Sequence, residues 1–193
     1  MFSVYLHQVD LLDMKLRDNE FRYVVHARDH FTKFSWAEPL KTKEAVGVAQ
    51  FLHKLFCYWG TPTLLQSDNG REFVNKVVEK YVQQWGSIEF IHGRPRHPQS
   101  QGMVENANKQ LRRKLLKWMD ETGRFDWTSG LDCIIMRMNN RVSETTKHTP
   151  YELVFGQQQN ANVRIVKDLW VAGVRREEAI GDYAEVEGHS SGK

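Results

Sequence analysis

The chain has 193 residues, 40% hydrophobic and 26% charged side chains and a formal net charge of +3, the balance of a folded globular domain. No apolar run approaches the ~20 residues that cross a bilayer, and Met1-Phe2-Ser3-Val4-Tyr5 lacks the basic and apolar regions of a secretory signal, so neither membrane insertion nor export is expected. The two cysteines, Cys57 and Cys133, belong to no C-x-x-C pair; this argues against a structural zinc site and for two buried thiols in a reducing compartment, with a disulfide as the alternative.

The first forty residues read as strands. Leu6 to Met14, Phe21 to Val25 and Phe34 to Ala37 are apolar and are separated by the polar runs Lys15–Glu20 and Asp29–Lys33, which predicts an antiparallel meander closed by Pro39. Residues 42–58 change period: Ala45, Val48, Ala49, Leu52, Leu55 and Phe56 fall at helical spacing, with Thr42 as N-cap. Gly60-Thr61-Pro62 ends that helix. Thr63–Gln66 reads as a short buried strand and Ser67-Asp68-Asn69-Gly70 as a turn. A helix over Phe73–Trp85, a strand over Ile88–Ile91 and a loop over His92–Gln101 follow.

The longest helix is expected over Gly102–Met119, where Val104, Ala107, Leu111, Leu115 and Trp118 form one apolar stripe. Two more are expected over Trp127–Asn140 and Thr149–Phe155. A strand meander, then helix–strand–helix–strand, then helices, predicts an α/β sandwich with a mixed central sheet. The folded core is assigned to residues 1–156, and residues 157–193 to a C-terminal helix, linker or appended tail.

Charge is unevenly distributed. Residues 92–117 hold Arg94, Arg96, Lys109, Arg112, Arg113, Lys114 and Lys117 against one acid, Glu105, so the remainder of the chain is net negative. Such a stretch can neutralise phosphates, or serve as a solvated helix face.

Three acids stand at positions where rigid elements could converge: Asp10 in mid-strand, Asp68 just after a buried strand, and Glu105 in the first turn of the long helix. Clustered carboxylates repel unless cations compensate them. Hard Mg²⁺ or Mn²⁺ ions suit carboxylate and phosphate oxygens, and a pair of them can drive phosphodiester chemistry. Each acid also has a structural explanation of its own: Asp10 as a hydrogen-bonded buried group, Asp68 as a turn residue before Asn-Gly, and Glu105 as a favourable charge at a helix N-terminus. Asp13 competes locally with Asp10, but three residues along a strand it faces the opposite way. Periodicity alone does not join the three.

Asp10 in Gln8-Val9-Asp10-Leu11, Ser67-Asp68-Asn69-Gly70 with Glu72-Phe73, and His97-Pro98-Gln99-Ser100-Gln101-Gly102-Met103-Val104-Glu105 resemble the integrase catalytic core of retroviruses and long-terminal-repeat retrotransposons. Thr149-Pro150-Tyr151-Glu152-Leu153-Val154-Phe155-Gly156 resembles the segment closing such cores, especially in gypsy-type transposable elements. The resemblance covers residues 5–156. It implies a ribonuclease-H-like fold, a five-stranded mixed sheet flanked by helices. It also implies that Asp10, Asp68 and Glu105 are the catalytic metal ligands of a DDE motif, holding two Mg²⁺ or Mn²⁺ ions in the DNA-bound state. Asn69, Gln101, Lys109 and Arg112 match DNA-contacting positions. Further implications are a homodimer, a nuclear location, DNA as partner and no small-molecule cofactor.

Three departures stand out. Asp68 and Glu105 have 36 residues between them, one more than retroviral members usually have. The residue after the catalytic glutamate, commonly Arg, is Asn106, and an aromatic of the mobile loop is replaced by Arg96. The zinc-binding N-terminal and β-barrel C-terminal domains of full integrases are not recognisable here, and an isolated core is expected to lack full integration activity. The expected function is 3′-end processing and strand transfer of DNA. The alternatives are a domesticated host domain kept for DNA binding or dimerisation, and a transposase or nuclease of the same fold.

Overall fold

A computed structural model describes residues 6–86, 88–93 and 98–159, with side chains at all of these except Leu6 and residues 98–105. The chain divides into two compact units, Met1–Gln157 and Gln158–Lys193; all but the first two residues of the second lie outside the described residues.

The elements run β1 (Leu6–Asp18), β2 (Phe21–Asp29), β3 (Ser35–Leu40), α1 (Ala45–Trp59), β4 (Leu64–Ser67), α2 (Lys76–Gln83), β5 (Glu89–His92), α3 (Pro98–Thr122), α4 (Trp127–Asn139) and α5 (Pro150–Phe155). They build one sheet of order β3-β2-β1-β4-β5, antiparallel through β1, β2 and β3 and parallel from β1 to β4 to β5. This is the expected five-stranded mixed sheet flanked by helices.

Side-chain alternation along the central strands sorts the core into two layers. Val9, Val25, Ala27 and Leu65 face α1 and α2, meeting Val48, Leu52, Leu55, Phe56, Val78 and Val82. Met14 and Val24 face the other way, onto Leu111 and Leu115 of α3 and Trp127, Leu131 and Ile134 of α4. Leu111 and Leu115 are fully buried, each contributing about 2 kcal/mol relative to exposure. Where α3 and α4 cross, Gly130 is required: a Cβ there would stand 2.5 Å from the Trp118 ring.

Several boundaries differ from the sequence expectation, each for a local reason. Lys15–Asp18 is strand rather than turn. Lys15 adopts φ 59° and the pairing register shifts between Asp13 and Asp18, which makes a bulge rather than a reversal. The chain reverses at Asn19 (φ 52°), a residue type that tolerates this conformation. Pro39 pairs with Val24 inside β3 instead of ending it, as an edge strand permits. Thr42 is not the N-cap of α1; Glu44 holds that position without a side-chain bond. α2 begins at Lys76 rather than Phe73, because the Asn75 side chain accepts from Val77 N at 2.9 Å while Phe73 packs into the core. α3 begins at Pro98, a residue suited to a first helical turn because its missing N–H has no partner to lose. Thr149 and Glu152 form a reciprocal capping box on α5. Cys57 and Cys133 are corrected most plainly: both are free and exposed, on the outward faces of α1 and α4, not buried.

Candidate active site

Asp10 is held from two sides. On β1 it pairs with His26 of β2 and faces the α3 layer, as alternation with Val9 requires. Its Oδ1 accepts from Leu11 N at 2.8 Å, and its Oδ2 accepts from Asn108 Nδ2 at 2.5 Å. Asn108, on α3, is 6% exposed, and its Oδ1 lies 2.6 Å from His26 Nδ1. With the Asn108 amide N–H₂ turned to Asp10, its oxygen can only accept, so His26 must carry its proton on Nδ1. The opposite ring nitrogen is buried without a partner among the described residues, and burial pushes the imidazole pKa down to about 4. A neutral, single-tautomer histidine thus orients an amide, which orients a carboxylate. Asp13, the local rival, is turned away and paired with Arg22 at 2.9 Å.

Asp68 follows β4 by one residue. Val9 and Ser67 are the last partners in the parallel β1–β4 pair, so Asp10 and Asp68 are the residues that follow them, Asp10 within β1 and Asp68 in the turn beyond β4. Adjacent strands lie roughly 5 Å apart. The turn after Asp68 is fixed by Gly70 N donating to Asp68 Oδ1 at 2.9 Å; a Cβ on Gly70 would stand 2.9 Å from that same oxygen. Beneath it, Ser67 Oγ donates to Asp68 O at 3.0 Å and meets His92 Nδ1 at 3.0 Å. Asn69 is exposed and lies against Gly93, where a Cβ would come within 3.0 Å of its side chain. The loops after β4 and β5 therefore meet at this end of the sheet.

Glu105 and Gln101 belong to α3, but their side chains lie outside the described residues. The backbone places Glu105 on the helix that packs over Asp10, three residues before Asn108. Ala107, Leu111 and Leu115 form the buried stripe as expected, while Lys109 is exposed. Arg112 reaches back to the sheet, its Nη2 3.4 Å from Met14 O, so it does not stand wholly outward as expected. Asn106 is exposed on a different flank of α3.

Among the described residues, no group of three or more His, Cys, Asp or Glu side chains could hold a metal, and only two of the three expected acids are described with side chains. Those two suit a hard cation in donor chemistry: carboxylate oxygens in β1 and in the turn that follows the neighbouring β4, with an amide fixing the first.

Residues 4–98 match the family described as Integrase core domain. Human KRAB-A domain-containing protein 2 is 35% identical over 150 residues, 77% of this chain and 30% of that protein. The Gag-Pol polyprotein of woolly monkey sarcoma virus is 33% identical over 150 residues, again 77% of this chain but 9% of the polyprotein. The solved catalytic core domain of BIV integrase superposes with a TM-score of 0.65 at 25% identity, over 79% of this chain and 95% of that one. The chain belongs to the integrase core family. Its sheet is accordingly the ribonuclease-H-like sheet of that family, and the chain spans less than a third of the length of either matched full-length relative.

The family match includes Asp10, Asp68 and Asn69 and ends before Gln101 and Glu105. Sequence reasoning missed two supports of Asp10 in this integrase core, His26 and Asn108, and the approach of Gly93 to Asn69. Asn108 carried one readable signal, since three residues after Glu105 it shares a helix flank with it. His26 carried none, because a histidine in an apolar strand reads as core.

Proposed function

We propose that this integrase core is a divalent-metal-dependent polynucleotidyl transferase that cuts and joins DNA 3′ ends. The observation that supports it most is the β1–β4 register, in which Asp10 and Asp68 follow the paired residues Val9 and Ser67, with Asn108 tying Asp10 to the helix bearing Glu105. Asp10, Asp68 and Glu105 would hold two Mg²⁺ or Mn²⁺ ions, which supply an activated attacking oxygen and a stabilised leaving oxygen. In processing, a water oxygen bonds to phosphorus, the bridging P–O bond breaks, and a free 3′ hydroxyl is left. In joining, that hydroxyl oxygen bonds to a target phosphorus as the target's own 3′ oxygen departs. No serine or cysteine nucleophile is needed.

The residues themselves hold and orient. His26 and Asn108 fix the carboxylate plane of Asp10, and Gly70 N fixes that of Asp68. Lys109 and Arg112 supply positive charge along α3 to the entering backbone, and Asn69 and Gln101 flank the DNA end. The protein works in the nucleus as a homodimer. Titration with Mn²⁺ tests the ligand set: Asp10→Asn and Asp68→Asn each lower affinity at least tenfold while both variants keep the parental melting temperature. Parental affinity in both variants would overturn the assignment.

A second reading has its own support. Human KRAB-A domain-containing protein 2 is similar over most of this chain, which favours a domesticated descendant that keeps dimerisation or DNA binding with reduced catalysis. Duplex binding without metal-dependent nicking, in the longest native chain, is its signature.

A further inference from the structure

A different flank of α3 carries a polar cavity of about 330 Å³ that the acids do not explain. Asn106, Gln110 and Lys114, spaced four apart on the helix, form one wall; Arg28, Lys33 and Ser35 from the β2–β3 corner and Arg141 after α4 form the others. Four of these lining residues are cations, and the cavity's one acid is Glu144.

Two donors in it are unsatisfied. Ser35 is 1% exposed and its backbone is pinned by Asn139, whose Oδ1 accepts from Ser35 N and whose Nδ2 donates to Ser35 O, both at 2.9 Å. Its hydroxyl nevertheless has no hydrogen-bond partner among the described residues, and neither does the buried Arg28 Nε. Buried donors without acceptors are rare and costly. The cations also disfavour one another. Burial lowers the Lys114 pKa and the neighbouring Arg141 lowers it further; burial likewise lowers those of Arg28 and Lys33, and Arg28 adds to the effect on Lys33. A neutral ligand would leave this repulsion in place and a cation would worsen it. An anion with several acceptor oxygens relieves both the repulsion and the missing hydrogen bonds.

We propose that this cavity binds a phosphate group, as an anion site distinct from the acid cluster and independent of whether the core is catalytic. The phosphate comes either from a nucleic-acid backbone or from a free polyphosphate.

Calorimetric titration of the 193-residue chain with pyrophosphate tests it, in EDTA so that no metal at the acids recruits the ligand. Saturable binding is expected, with a melting temperature raised by about 5 °C at roughly a hundredfold excess over Kd. The double variant Lys114→Ala/Arg141→Ala, at half-exposed and exposed positions, should bind at least tenfold more weakly. Glu144→Gln should bind more tightly, a readout that survives if the double variant fails to fold. The source is read from duplex DNA. If the double variant also flattens the slope of log K against log salt by about two units, the phosphate belongs to DNA; an unchanged slope assigns it to a free ligand. No saturable binding by the parent, or parental affinity in both variants, overturns the proposal.

Discussion

The chain His26–Asn108–Asp10 links a buried neutral ring to the candidate ligand carboxylate across two hydrogen bonds of 2.6 and 2.5 Å. Groups that orient metal ligands typically change metal affinity 10–100-fold when removed. Asn108→Ala should therefore weaken Mn²⁺ binding by about tenfold, and His26→Ala by less, with Asp10 itself unaltered. Equal affinity in parent and Asn108→Ala, by the same titration, would mean the amide is merely packing. Acidity offers a second residue-scale test. Burial pushes His7 and His26 down to about 4, with Asp29 partly opposing the shift at His7. Between the ordinary histidine value of about 6.5 and pH 4, the unfolded chain takes up protons that the folded chain refuses. Stability is thus fully present above about pH 7 and falls as the pH drops through that window, by about 3 kcal/mol per imidazole. The urea midpoint should fall between pH 7.5 and pH 5, and His7→Phe should shrink the fall. A pH-independent midpoint would contradict the buried neutral state. None of this was legible in the sequence: a histidine between Val25 and Ala27 carries no mark of what packs over it, and Asn108 acquires meaning only when α3 lies across β1.

At the scale of elements, α3 has three uses at once. Leu111 and Leu115 anchor it, Asn108 orients Asp10, and Lys109 and Arg112 are the cations proposed to meet DNA, the first exposed and the second tied to Met14 O. Lys109→Ala/Arg112→Ala should weaken duplex binding and flatten its salt slope by up to about two units. The bond from Arg112 to Met14 O makes Lys109 the more freely placed of the pair, so Lys109→Ala alone should carry at least half of the effect. A parental slope in the double variant would leave a solvated helix face. Packing is tested at Gly130, where Ala should destabilise by about 1–3 kcal/mol because the added methyl meets the Trp118 ring. Most elements could be read from period: the α3 stripe, the 42–58 helix and the meander all appear where apolar spacing put them. Boundaries failed where a single residue decides them. Lys15 reads as turn because it sits among polar residues, yet its left-handed backbone makes a bulge that keeps β1 running to Asp18. The candidate site was legible as three words in the sequence, not as periodicity; nothing in spacing alone predicts the β1–β4 register in which Asp10 and Asp68 follow the partners Val9 and Ser67.

Across the whole molecule, apolar surface remains on the outer helices. Val46 and Tyr58 on α1 are 54% and 79% exposed, and Met136 on α4 is 46% exposed. Outward apolar residues of this kind are where a second copy would pair across a two-fold axis. Sedimentation at tens of micromolar should show a dimer that Tyr58→Glu weakens; a monomer at that concentration would remove the homodimer. The central claim concerns chemistry, and one assay reaches it most directly. The longest native chain containing this core is incubated with Mn²⁺ and duplexes carrying long-terminal-repeat ends, and 3′ nicking and joining to a second duplex are followed on a denaturing gel. Both products should form with the parent and disappear with Asp10→Asn, Asp68→Asn and Glu105→Gln, while each variant still binds the duplex. Nicking that survives all three substitutions, or a parent that binds DNA and cuts nothing, would contradict the account.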